Sequence, residues 1–202
     1  MILDHTETIT ANKSSIIYQV LRYFLLFSVL SGTIYAMNHH GGMMIHHSGN
    51  HTEHDEVNMP GLNGIDTTKQ EVGDLKNIFQ NHQKIKRSVV NIKNGIKTST
   101  ESLDPKIKQS VVNHVVLMVQ RLQNNKNPKV AIQSPTLDKL FDYSNKIKTE
   151  IKLTENGVDV IQTSSNPIVV KLLQQHASEV SDMAARGMEP IHERMMRSGK
   201  GH

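Results

Sequence analysis

Apolar residues at Val72, Leu75, Ile78 and Phe79 recur at the three-to-four spacing of one helix face, whereas from Lys146 onward the apolar period shortens to two. There, Ile147, Thr149, Ile151 and Leu153 fall on one side of a strand and Lys146, Lys148, Glu150 and Lys152 on the other, which predicts a sheet with one wet face. The helix is expected to start at Thr68, because Thr68-Lys-Gln-Glu71 has capping-box spacing, and to run to about His82. A strand over Lys84 to Ile92, a turn at Asn94-Gly95 and a strand over Ile96 to Ser102 follow, Asn-Gly being the preferred two-residue hairpin turn. Asp104-Pro105 then opens a second helix, with Asp as the cap and Pro where its missing amide costs nothing. Its inner stripe is Ile107, Val111, His114, Val115, Met118 and Leu122.

The same order returns sixty-two residues later: Phe79, Asn94, Gly95, Ser102, Pro105 and His114 are echoed by Phe141, Asn156, Gly157, Ser164, Pro167 and His176. The second copy reads as a helix from Thr136 to about Ser144, strands over Lys146 to Leu153 and Val158 to Thr163, and a helix opened by Asn166-Pro167. That last helix buries Val169, Leu172, Leu173, His176, Val180 and Met183, and Gly187 and Pro190 kink or end it before a final turn through His192 to Arg197. Polar Gln123 to Pro135, with two prolines, serves as the link. A two-stranded hairpin is hardly stable alone, so the halves are expected to pair. The expected fold class is α+β: internally duplicated helix–β-hairpin–helix units forming a four-stranded antiparallel sheet packed with helices. The domain covers residues 66–197, with repeats at about 68–122 and 136–187 and a tail at 198–202.

Ahead of the domain, Ile16 to Met37 is an apolar run with one charge, Arg22, and small residues stand at Ser31, Gly32 and Ala36. Residues 1–36 therefore read as an export signal cut after Ala36, or as an uncleaved N-terminal membrane anchor. Both place the remainder outside the cytoplasm, in a periplasm or equivalent compartment. Residues 37–65 are rich in Gly, Asn and Ser without apolar periodicity, the composition of a flexible arm.

Composition narrows the chemistry. The 202-residue chain has no cysteine, which removes disulfides, thiolate catalysis and covalent haem attachment through C-x-x-C-H. Its net charge of +4 is scattered, and with no Trp there is little to stack bases, so nucleic acid is not an expected partner. No nucleophile elbow, H-E-x-x-H, phosphate loop or dinucleotide fingerprint occurs, which points to a non-enzyme.

The arm carries the densest chemistry: His39, His40, Met43, Met44, His46, His47, His51 and His54. Imidazole binds copper, zinc and nickel while thioether sulfur favours Cu(I), so His and Met without Cys point to copper. Cleavage after Ala36 would also start the mature chain at Met37-Asn38-His39, whose amine, amides and third-position imidazole suit square-planar Cu(II) or Ni(II). A polar spacer is the plainer reading. A second candidate metal site is Met188, His192, Met195 and Met196, spaced about one helical turn apart, against which stands an ordinary methionine core stripe. His114 and His176, on the apolar stripes of equivalent helices, are candidates for holding a non-covalent haem or a small ligand; satisfied core histidines are the alternative.

Met59-Pro-Gly-Leu62, Ile132-Gln-Ser-Pro-Thr-Leu-Asp138, Gln162-Thr-Ser164 and His176-Ala-Ser-Glu-Val-Ser-Asp-Met183, followed by Arg186-Gly-Met188, resemble an exported bacterial family of unknown function. The resemblance spans about residues 59–197 and implies export and a shared domain, without an activity. The sequence is thus read as an exported transition-metal-binding protein, with copper as the metal, binding or buffering it through the arm. The alternatives are a haem- or small-ligand-binding domain using the paired helix histidines, and a ligand-free interaction module. A metal ion is the expected partner, and a membrane only if the N-terminal segment stays uncleaved.

Overall fold

A computed structural model describes residues 59–199; residues 1–58, which hold the segment expected to be an export signal and most of the expected arm, and the last three residues lie outside it. Helix α1 (Lys69–Gln80) begins at the expected capping box, in which Thr68 Oγ1 accepts from the Glu71 amide (3.2 Å) and Glu71 Oε2 from the Thr68 amide (2.6 Å). A 3-10 turn, His82–Lys84, leads into strands β1 (Lys86–Ile92) and β2 (Gly95–Glu101). Helix α2 (Pro105–Gln123) is capped by Asp104, which accepts from the Lys106 and Ile107 amides. Helix α3 (Pro135–Asp142), capped by Ser134, precedes a second 3-10 turn (Ser144–Lys146) and strands β3 (Lys148–Leu153) and β4 (Gly157–Thr163). Helices α4 (Pro167–Arg186), capped by Asn166, and α5 (Glu189–Arg197) complete the described chain.

The fold is α+β: the four strands form one antiparallel sheet in the order β1-β2-β4-β3, with helices packed on it. The two hairpins join through β2 and β4, and their register is symmetric about the Thr98–Val160 pair, so that Gly95 faces Thr163 and Glu101 faces Gly157. Along β3 the residues alternate between exposed and half-buried, as the period of two required.

Two local expectations are corrected. Both first strands start two residues late, because the chain leaving each helix makes a 3-10 turn, Ile85 N to His82 O and Ile147 N to Ser144 O. The hairpin turn is also displaced: Ile92 pairs with Gly95, so Lys93 and Asn94 are the loop, and neither Asn94 nor Gly95 has positive φ. The glycine answers a different need. A Cβ on Gly95 would fall on the Gln162 carbonyl oxygen of β4, and one on Gly157 on the Thr100 carbonyl oxygen of β2. Glycine at both places lets the two hairpins close on each other.

The core forms in three parts. Ile107 and Val111 of α2 pack with Val158 and Val160; sixty-two positions on, Val169 and Leu173 of α4 pack with Ile96 and Leu140. The third cluster is Leu62, Phe79, Ile132 and Ile191, and it draws on the expected link through Ile132 and on the end of the expected flexible arm through Leu62, which is buried and so belongs to the folded domain. Ile132 is buried although its neighbourhood is polar, and Ile191 makes the expected final turn a helix with a buried face. Arg121, near the end of α2, ties down the start of α1: its Nε donates to Glu71 Oε1 (2.6 Å) and its Nη1 to Asp66 Oδ1 (2.7 Å). Among the described residues no helix is long and apolar enough to cross a membrane.

Candidate ligand cavity

Helices α2 and α4 both pack on the sheet, and a cavity of about 270 Å³ remains where the three core clusters meet. Its wall is chiefly apolar, with Phe79, Val111, Val115, Met118, Val160 and Val180 among the lining residues. The few polar groups come from the inner sheet face (Arg87, Thr98, Thr100, Gln162), from the helices and the 3-10 turn (His82, His114, His176), and from the link (Gln133, Ser134).

The two helix histidines expected to act together both line this cavity. Their environments differ. Burial pushes the His114 imidazole down to about 4; the charges of Asp74 and Glu71 oppose the drop and His176 adds to it. His114 is therefore neutral at pH 7, offering one donor and one acceptor nitrogen. Asp74 is itself buried, its Oδ2 accepting from Gln70 Nε2 (3.0 Å) and Asn113 Nδ2 (3.1 Å). His176 Nδ1 lies 3.8 Å from Glu179 Oε2, beyond hydrogen-bond reach, so the contact is electrostatic only, and both atoms are buried without a hydrogen-bond partner. Burial opposes ionisation of Glu179, yet His176, Thr136, Ser134 and Gln175 together hold its carboxyl down at about 2. Thr136 Oγ1 donates to its Oε1 at 2.7 Å and Gln175 Nε2 at 3.1 Å. His82 Nδ1 stands 3.3 Å from the Ala184 carbonyl, an arrangement that places the proton on Nδ1.

The chain matches no family model, no curated protein and no solved structure. What the cavity can do is therefore argued from its own side chains.

Arg87 is the residue that sequence reasoning missed. Its Nη1 donates to Thr100 Oγ1 (2.6 Å), its Nε is buried without a partner, and burial alone pushes the guanidinium down to about 10, leaving it charged at pH 7. The signal was parity: Ile85, Arg87 and Val89 alternate with Lys84, Lys86 and Ser88, which puts an arginine on the buried side of the strand. At the symmetric place in the other hairpin the polar pair is neutral, Gln162 Nε2 donating to Thr149 Oγ1 at 3.3 Å.

The C-terminal candidate set is divided. Met188 and Met195 pack against the cluster around Leu62 and Ile191, whereas Met196 is exposed. His192 stands on the same helix. No group of three or more His, Asp or Glu side chains placed to hold a metal occurs among the described residues. His39, His40, Met43, Met44, His46, His47, His51 and His54 lie outside the described residues.

Proposed function

We propose that the folded domain is a non-catalytic binding module that takes a small, largely apolar ligand between the sheet and helices α2 and α4. The observation that carries this reading is the cavity itself, an apolar volume with a few polar groups converging on it, near the lower end of the range for small-molecule sites (roughly 300–1,000 Å³). A folded chain normally closes such a space, since unfilled volume forfeits dispersion contacts. His114, neutral and facing this volume, supplies orientation by hydrogen bonding rather than charge. Two imidazoles lining one apolar space also suit the axial positions of a non-covalent haem, the alternative that a Soret band in the purified protein would reveal. A neutral apolar fluorophore such as 1-aminoanthracene is expected to bind once per chain, and Val180→Phe, which projects a ring into the cavity, should weaken that binding at least about tenfold. Binding unchanged by that substitution would refute the site.

The arm supports a second function, on the observation that six histidines and three methionines fall between Met37 and His54 with no cysteine anywhere in the chain. We propose that the chain is exported to the periplasm or an equivalent compartment and that this arm binds copper there; the resemblance to an exported family supports the address. The mature protein is expected to take up copper stoichiometrically and to lose it when residues 37–58 are deleted. Equal uptake by a version with the arm histidines changed to serine would remove the proposal.

A further inference from the structure

Resting on the cavity reading, the further inference concerns what the ligand carries at its polar end. A guanidinium on the buried face of a sheet is costly unless a counter-charge meets it, and it does not escape the cost by deprotonating as a lysine does. Among the described residues Arg87 has no such counter-charge: no carboxylate stands within ion-pair distance, and its one hydrogen bond is to the neutral Thr100 hydroxyl. The acids nearest the cavity are engaged elsewhere. Glu71 is paired with Arg121, Asp74 is held by Gln70 and Asn113, and Glu179 by Thr136 and Gln175. Every other lining residue is apolar or uncharged at neutral pH or, like His82 and His176, an imidazole, so the fixed charge on this wall is positive.

The two polar ends of the inner sheet face are also unlike each other. Arg87 with Thr100 stands at one, Gln162 with Thr149 at the symmetric other. A ligand in this space therefore meets one charged end and one neutral end, which sets its direction.

We propose that the cavity binds a monocarboxylate with a hydrocarbon body, its carboxylate received by Arg87 beside Thr100 and its body lying among Val111, Val115, Met118 and Val180. The single positive charge matches a single negative one; a phosphate dianion would need more donors than one guanidinium and a hydroxyl provide. A cation is disfavoured by the same charge. The cavity volume limits the body to a medium chain or a small fused-ring system.

The test is displacement of 1-aminoanthracene from the full mature chain at pH 7 by octanoate, 1-octanol and octyl phosphate. Octanoate is expected to bind at least about tenfold more tightly than octanol, and in Arg87→Gln that ratio should fall to about one while octanol is unaffected. Arg87→Gln removes a charge with no acidic partner and is expected to melt no lower than the parent. Should it fail to fold, Arg87→Lys serves instead, with the preference for octanoate reduced but kept. Octanol binding as tightly as octanoate, a preference that survives in Arg87→Gln, tighter binding of octyl phosphate, or no displacement by any of the three overturns the carboxylate assignment. Failure of the fluorophore itself to bind overturns the cavity reading beneath it.

Discussion

Alanine at Gly157 is expected to lower the stability of the domain by roughly 3 kcal/mol or more, a large part of the 5–15 kcal/mol that holds a domain of this kind folded. The added Cβ would land on the Thr100 carbonyl oxygen, which is backbone and moves only if β2 and β4 separate. Gly95→Ala meets the Gln162 carbonyl in the same way at the other end of the pairing, so a similar loss is expected. Gly73, in the middle of α1, is the control: nothing lies within 4 Å of the place its Cβ would take, and Gly73→Ala should stabilise by about 1 kcal/mol through helix propensity. Urea unfolding midpoints of the three variants check this. If Gly157→Ala unfolds at the parent's midpoint, the close approach of the hairpins is not what the glycine serves.

The second large effect is on pH dependence. The His114 imidazole ordinarily titrates near 6.5 but is held at about 4 in the folded chain, so on acidification the unfolded chain takes up this proton first. The contribution of neutral His114 is present above pH 6.5 and is lost progressively as the pH falls toward 4, a change on the order of 3 kcal/mol. Glu179 has the sign usual for a carboxylate. Its folded value of about 2 lies below its ordinary 4.5, so its contribution is present above 4.5 and disappears as the pH falls from there toward 2. Unfolding free energies measured at intervals from pH 7 to pH 4 should decline, and in His114→Gln the part of the decline between 6.5 and 4.5 should be absent. An identical slope in parent and variant would show that His114 is not held neutral by burial.

How much of this was legible in the chain varies from element to element, and the reasons are physical. The caps at Thr68, Asp104 and Asn166 are local contacts between a side chain and an amide two or three residues on, so residue type and spacing were enough to place them. The alternation in β3 likewise needed only the period of a strand. Asn94-Gly95 was misread because the local rule assigns glycine to positive φ, while the cause was a carbonyl sixty-seven residues away. Ile132 fell in the expected link and Ile191 between the expected helix stop at Pro190 and the final turn, since an isolated apolar residue has no periodicity; their burial comes from Leu62 and Phe79, which arrive from elsewhere in the chain. The candidate site divides in the same manner. The equivalence of His114 and His176 could be read from the echo, but a shared cavity depends on how α2 and α4 lie over the sheet.

The residue order by itself determined the elements, their caps, the wet and dry faces of the strands and the repeated arrangement that makes a four-stranded sheet the economical pairing, because each depends on interactions within a few residues or on one simple period. Tertiary structure alone decided that half-buried Arg87 would have no acidic partner among the described residues, that His114 would be neutral, and that a space would remain between the two half-cores. Desolvation, charge pairing and cavity volume are properties of groups brought together from distant parts of the chain, and they take values only once the packing exists.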